Sequence, residues 1–322
     1  MPPFRGLELS PMSLFQTFGQ SVRIAGIGLH SGATVAVQLS PRDRCGIVFV
    51  RTDLPGAPEI EASFAAISST THATTLCHNE ASVSTTEHLL AALWMFGITH
   101  ARIELDGPEV PILDGSALGW CRLLQEATVV EVKSTLFAHP DEEKVPFGEA
   151  DRVSSARPRW TLREPVLVES GNACALALPH DYLRISTFVD FRPEYLAPQL
   201  FDGVVSQEAF VPEIAPARTF TLEEWIEPLR AQGLIQGGSV ENALVLGREA
   251  PFSALRFSNE LARHKVLDLL GDIALLFAPD GGMVQAHFIA LRAGHSLHRQ
   301  WMVRCREQNA LVRAAAHPSS TR

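Results

Sequence analysis

The 322-residue sequence predicts an α+β protein built as two halves of similar content. Period-two apolar runs come in groups followed by helices, whereas a wound parallel sheet would alternate one strand with one helix. Each half carries several such strands and two helical stretches. Between them, residues 128–157 include HPDEEKVPFGEADRVSSAR, which is polar, broken by proline and has the composition of a connection. The expected division is an N-terminal domain over 13–127, a linker over 128–157 and a C-terminal domain over 158–306. A prior of roughly 100 to 200 residues per domain gives the same number.

The first half opens with SVRIAGIGLH, ATVAVQLS and GIVFVRTDL, whose alternation suits strands with one face on a core. STTEHLLAALWMFGI then reads as a helix, with Ser84 or Thr85 as the N-cap and Gly97 as the C-terminal stop. The strand HARIELDG and the turn-rich PEVPILDGSA lead to a second helix at LGWCRLLQEA. The second half restarts with the strands RWTLREPVLVES, ACALALP and LRISTFVDF. It continues through the helix LEEWIEPLRAQG, the strand ENALVLG, the helix RHKVLDLLGDIALL, the strand MVQAHFIALRAG and a final helix from about Ser296. No strict repeat of 20 to 50 residues occurs, which excludes a solenoid.

Composition narrows the function. Lys and Arg number 27 against 36 Asp and Glu, a formal charge of −9. No overall positive field is therefore available to gather nucleic acid or anionic lipid, and a phosphate-bearing ligand must be held by local groups. The cysteines Cys45, Cys77, Cys121, Cys174 and Cys305 are odd in number, widely spaced and form no CxxC pair. That argues against a disulfide framework or a thiolate zinc site and for a reducing cytosol. The N-terminal stretch has no continuous apolar segment, and the most apolar region is interrupted by Asp268 and Asp272, so neither a signal peptide nor a membrane span is expected.

The helix RHKVLDLLGD poses the chemical question. At about 100° per residue, His264, Asp268, Gly271 and Asp272 share one narrow face while leucines occupy the rest. A solvated stripe on a surface helix is the ordinary explanation. The apolar arc here is wide, however, and a buried carboxylate needs a cation, a donor or a metal. His and Asp four residues apart can both reach one ion, and a catalytic zinc takes a third protein ligand from elsewhere. Among the remaining histidines, STTEHLLAAL offers Glu87 beside His88, where one side chain can ligate while the other acts on water. His139 and His180 sit in turn-like contexts. His30 and His78 read as loop hydrogen-bonding residues.

Seven ordered blocks then carry a resemblance: GIGLHSG, STTEHLLAAL, DGPEVPILDGSA, APARTF, GLIQGGS, RHKVLDLLGD and AGHSLH. Over about residues 22–304 the chain resembles the zinc-dependent UDP-3-O-acyl-N-acetylglucosamine deacetylases of lipid A synthesis. The resemblance implies two βααβ-type domains with helices sandwiched between sheets and a small insert in each. It implies Zn2+ held by His88, His264 and Asp268, with Glu87 as general base. His295 corresponds to a protonated histidine that stabilises the oxyanion and protonates the leaving amine, Asp272 to the carboxylate orienting it, and Thr219 to a further oxyanion donor. Lys265 corresponds to a cation near the diphosphate. Phe220 and GLIQGGS, with Leu234, Ile235, Gly238 and Val240, correspond to substrate contacts and the acyl-chain passage, whose wall Gln236 interrupts with a polar side chain. Asn259 and His298 stand where aspartate and asparagine are frequent, with no change of chemistry expected.

The reaction so implied is hydrolysis of the 2-acetamido group of a UDP-3-O-acylated glucosamine by a monomeric cytoplasmic enzyme acting on a small-molecule UDP-acyl-amino-sugar. Two alternatives stand beside it. One is a zinc amidohydrolase for another acetylated amino sugar, and the other is a noncatalytic protein that binds nucleotide sugars or lipids.

Overall fold

A computed structural model describes residues 15–132, 157–191 and 195–314. In the first half it contains β1 (Gln16–Phe18), β2 (Val22–Ile27), β3 (Thr34–Ser40), β4 (Gly46–Arg51), β5 (Glu59–Glu61), β6 (Ile67–Ser69), β7 (Thr75–His78) and β8 (Ala81–Val83). Helix α1 (Glu87–Met95), β9 (His100–Leu105), α2 (Leu118–Glu126) and β10 (Val129–Glu131) follow. The second half has β11 (Arg159–Leu162), β12 (Val166–Ser170), β13 (Ala173–Pro179), β14 (Leu183–Val189) and β15 (Gln199–Val204). After the short α3 (Gln207–Ala209) come β16 (Phe220–Leu222), α4 (Glu223–Ala231), β17 (Leu244–Leu246), α5 (Glu260–Phe277), β18 (Met283–Leu291), α6 (His295–Glu307) and β19 (Leu311–Arg313).

The two halves repeat one topology. The first sheet runs β2-β3-β9-β4-β5, with β9 and β4 parallel and the other pairs antiparallel. The second contains β12-β13-β18-β14-β15, with β18 and β14 parallel and the other pairs antiparallel. In each half a helix precedes the central strand (α1 before β9, α5 before β18) and another follows it (α2, α6). Sequence periodicity therefore recovers an α+β protein of two like halves. Strand β10 falls inside the stretch expected to be linker, yet pairs with β1. Residues 133–156, including His139, lie outside the described residues.

Helices form the middle layer. Helix α2 lies on β2, α6 lies on β12 and β13, and α5 packs on both α1 and β14. On β3 the alternating Val35, Val37 and Leu39 are fully buried, as a period of two against a helical layer requires. All of β4 is buried, because β8 contacts it as well. One continuous apolar core joins the halves, and Trp94 of α1 stacks on Phe277 of α5 with ring planes 4° apart.

The α1–α5 contact fixes the site. A Cβ built on Gly271 would lie 2.0 Å from the Glu87 carbonyl oxygen, so only glycine lets the start of α1 touch α5 there. Helix α1 begins one residue later than a Thr85 cap would start it and two later than a Ser84 cap would. Thr86 is the N-cap, while Thr85 takes a left-handed φ of 57° that removes it from the helical path. Gly97, at φ 76°, does end the helix.

Candidate metal centre and active site

The polar face of α5 is buried, not solvated: His264 and Asp268 are each 2% exposed and Asp272 1%. The start of α1 faces it. Nε2 of His88 lies 3.6 Å from Asp268 Oδ1, and Nε2 of His264 lies 3.3 Å from the same oxygen. One donor atom from each of His88, His264 and Asp268 falls within a 4.8 Å group. The Nδ1 of His264 meets the Ala217 carbonyl at 3.1 Å, which places the ring proton on Nδ1 and turns the Nε2 lone pair toward Asp268. Burial pushes the His264 pKa down to about 3, so the ring is neutral and able to ligate. For Asp268, burial opposes ionisation, but His264 and Lys265 hold the carboxyl well below the usual range. Two imidazole nitrogens and one carboxylate oxygen converging at a buried point form a donor set that suits a borderline divalent ion such as zinc.

A second cluster adjoins the first. Oδ2 of Asp272 accepts from His295 Nδ1 at 2.7 Å and from His298 Nδ1 at 2.6 Å, and Oδ1 accepts from the Thr74 hydroxyl at 2.6 Å. These are hydrogen bonds of ring N–H groups, so this trio aims no nitrogen lone pair at a cation. Although burial disfavours its charged form, His295 is raised to about 10, chiefly by Asp272. Asp272 is in turn held far below the carboxylate range against the cost of burial, first by His295 and then by His298. Glu87 is raised by burial, an effect only partly offset by His295 and His88. Its Oε1 lies 4.0 Å from His295 Nε2, and its Oε2 accepts from the Thr74 backbone N–H at 3.1 Å. A carboxylate with raised pKa and an imidazolium thus flank the candidate metal point, the arrangement that general base and general acid chemistry requires.

A cavity of about 550 Å³ opens from this point, lined by Thr219, Phe220 and Lys265 as well as by Ile235, Gly238 and Val240 of the insert. Leu234 is not among its lining residues, a correction to the expected wall; it lies half-buried beside the end of α4, where its N–H donates to the Leu229 carbonyl. Gln236 does not interrupt the passage either, because its amide donates to the Arg230 and Leu234 carbonyls. Lys265 pairs with Asp268 Oδ2 at 2.7 Å and lies 5.4 Å from the centre of the Phe220 ring. His78 makes its expected loop bond, to the Glu59 carbonyl. His30 makes its loop bonds through its backbone, whose N–H donates to Glu109, while its ring faces the cavity and its Nδ1 has no partner among the described residues.

Sequence reasoning missed three contributors. Thr74, 1% exposed, touches Glu87 and Asp272 at once, and nothing local in THATTLCH marks it. His72 lines the cavity from a left-handed φ of 64°. His298, read as neutral to the chemistry, shares an Asp272 oxygen with His295; its place on α6, one helical turn after His295, was the available signal.

Comparison with known proteins identifies the family of the chain. The family described as UDP-3-O-acyl N-acetylglycosamine deacetylase (LpxC) matches residues 15–305. Among curated proteins, the chain is similar to a UDP-3-O-acyl-N-acetylglucosamine deacetylase of Thermosynechococcus vestitus, with 43% identity over 287 residues, covering 88% of this chain and 91% of the relative. The enzyme of the same name from Trichormus variabilis is 40% identical over 289 residues, 88% of this chain and 95% of its own length. That from Myxococcus xanthus is 38% identical over 288 residues, 88% and 84% of the two chains.

Proposed function

We propose, from the premise that this chain belongs to the UDP-3-O-acyl N-acetylglycosamine deacetylase (LpxC) family, that it hydrolyses the N-acetyl group of UDP-3-O-acyl-N-acetylglucosamine to acetate and the free amine in lipid A biosynthesis. One observation carries the reading. Glu87 and His88 from the first half meet His264, Asp268, Asp272 and His295 from the second around one buried point at the end of a largely apolar cavity.

In this reading His88, His264 and Asp268 hold one zinc ion. When bound, zinc supplies Lewis acidity, polarising the amide carbonyl and easing loss of a proton from water. Glu87, kept by burial at a raised pKa, takes the proton from the attacking water. As the carbonyl carbon becomes tetrahedral, the Thr219 hydroxyl and His295 Nε2–H donate to the developing oxyanion. His295 then delivers its proton to the amide nitrogen, the C–N bond breaks, and acetate and amine separate. Asp272 keeps His295 charged and oriented, with Thr74 and His298 holding that carboxylate.

Lys265 and Phe220 serve the sugar-diphosphate side of the cavity, and Ile235, Gly238 and Val240 receive the acyl chain. Burial at about 0.8 kcal/mol per CH2 supports recognition of such a chain. The proposal also takes the protein to be a cytoplasmic monomer, in keeping with five cysteines of which none is in a disulfide.

Mass-spectrometric deacetylation assays on the full substrate, on an analogue without the 3-O-acyl chain and on one without UDP test the assignment. Turnover is expected to fall steeply with either truncation. Equal turnover of all three would point to an amidohydrolase of broader acetylated amino sugars.

A further inference from the structure

Glu109, from the DGPEVPILDG block, is fully buried and takes no part in the chemistry above. Its Oε1 accepts from the His30 backbone N–H at 2.9 Å and from the Thr85 hydroxyl at 2.8 Å. Its Oε2 accepts from the Ser31 N–H at 2.7 Å. Among the described residues no arginine or lysine pairs with it, so a buried carboxylate is kept solely by amide and hydroxyl donors, an expensive arrangement that needs all of them.

The donors lead to two parts of the site. His30 and Leu29 line the cavity, and their carbonyls accept from Gln236 and Gly237 of the insert that bears Ile235 and Gly238. Thr85 holds a left-handed φ two residues before Glu87. The packing is also tight. A Cβ on Gly28 would lie 2.5 Å from Glu109 Oε2, and one on Gly237 would lie 2.2 Å from the Gly28 carbonyl oxygen.

We infer that Glu109 is a positioning residue for the deacetylation, setting the His30 loop, the acyl-side insert docked on that loop, and the strained entry to α1 in one register around the metal point. The inference rests on the proposed function for its kinetic consequence, though not for its structural one. The carboxylate is specifically required, because glutamine would turn an NH2 group toward the N–H of His30 or Ser31.

The test uses Glu109→Gln in the metal-loaded full-length protein, with the pair Thr85→Ala and Thr85→Ser. Hydrogen exchange at the His30, Ser31 and Gly237 amides should quicken in E109Q at unchanged metal content, whatever the substrate. Loss of a bond to a charged acceptor should raise KM about tenfold. T85A should lower kcat several-fold by freeing the start of α1, and T85S, which keeps the hydroxyl, should restore it.

Exchange and kinetics of E109Q within about twofold of the parent would overturn the inference. Should E109Q fail to fold, the Thr85 pair decides, and equal loss in T85A and T85S would overturn it. A parent protein without deacetylase activity would instead refute the proposed function, while the exchange measurement would still judge Glu109.

Discussion

The proposed division of proton transfers between Glu87 and His295 follows from surroundings that push the two groups in opposite directions. Burial raises Glu87 toward the range of a useful base, and Asp272 keeps His295 protonated, up to about 10. Activity should therefore rise with pH as Glu87 loses its proton and fall at alkaline pH as His295 loses its own; a nearby divalent cation favours both deprotonations and moves both limbs downward. Replacing Asp272 by Asn should shift the alkaline limb of kcat/KM to lower pH, and an unmoved limb would detach Asp272 from His295. Glu87→Ala should cost about a hundredfold or more in single-turnover rate with zinc retained. The same charges bear on stability. Asp272, depressed in the fold, contributes above the ordinary carboxylate pKa and loses that contribution as pH falls. His295, raised in the fold, contributes fully below about 6.5 and loses its contribution as pH climbs toward about 10. His264 and Asp268 were legible because a four-residue step along one helix is a local pattern. Thr74 and Glu109 were not, because their partners lie 198 and 79 residues away in sequence and their own neighbours carry no periodic signal.

Helices α1 and α5 supply the residues argued to hold the metal, and the site exists because the two approach at Gly271. Its position on the polar face of α5 was readable, but its purpose was not, since the contact is with the backbone of a helix in the other half. Gly271→Ala should separate the helices, destabilise the protein by roughly 1–3 kcal/mol in denaturant titration, and weaken metal retention through His88. Helix and strand types were well marked by apolar period. The start of α1 was misplaced by one residue because Thr85 has the chemistry of a cap while its left-handed backbone leaves that position to Thr86. Strand β15 was overlooked, since its residues QLFDGV lack a strong alternation and depend on pairing with β14 for their shape.

Across the whole molecule, two copies of one topology face each other through their helices, and neither contains a complete site. The first half brings Glu87 and His88; the second brings His264, Asp268, Asp272 and His295. Similar content was visible in the sequence, whereas the shared strand order was not, because pairing joins strands far apart in the chain. A metal bridging the halves should act as a cross-brace. Chelation should lower the thermal midpoint, and zinc at 1,000 times its dissociation constant should return about 4 kcal/mol. The most direct measurement is deacetylation of UDP-3-O-acyl-N-acetylglucosamine, followed by mass spectrometry, as metal-free protein is titrated with zinc. Activity is expected to start near zero and to saturate at one equivalent per chain, and to remain absent when His88 is replaced by Ala. Undiminished turnover by the stripped protein, or by the variant lacking His88, would contradict a centre assembled from both halves.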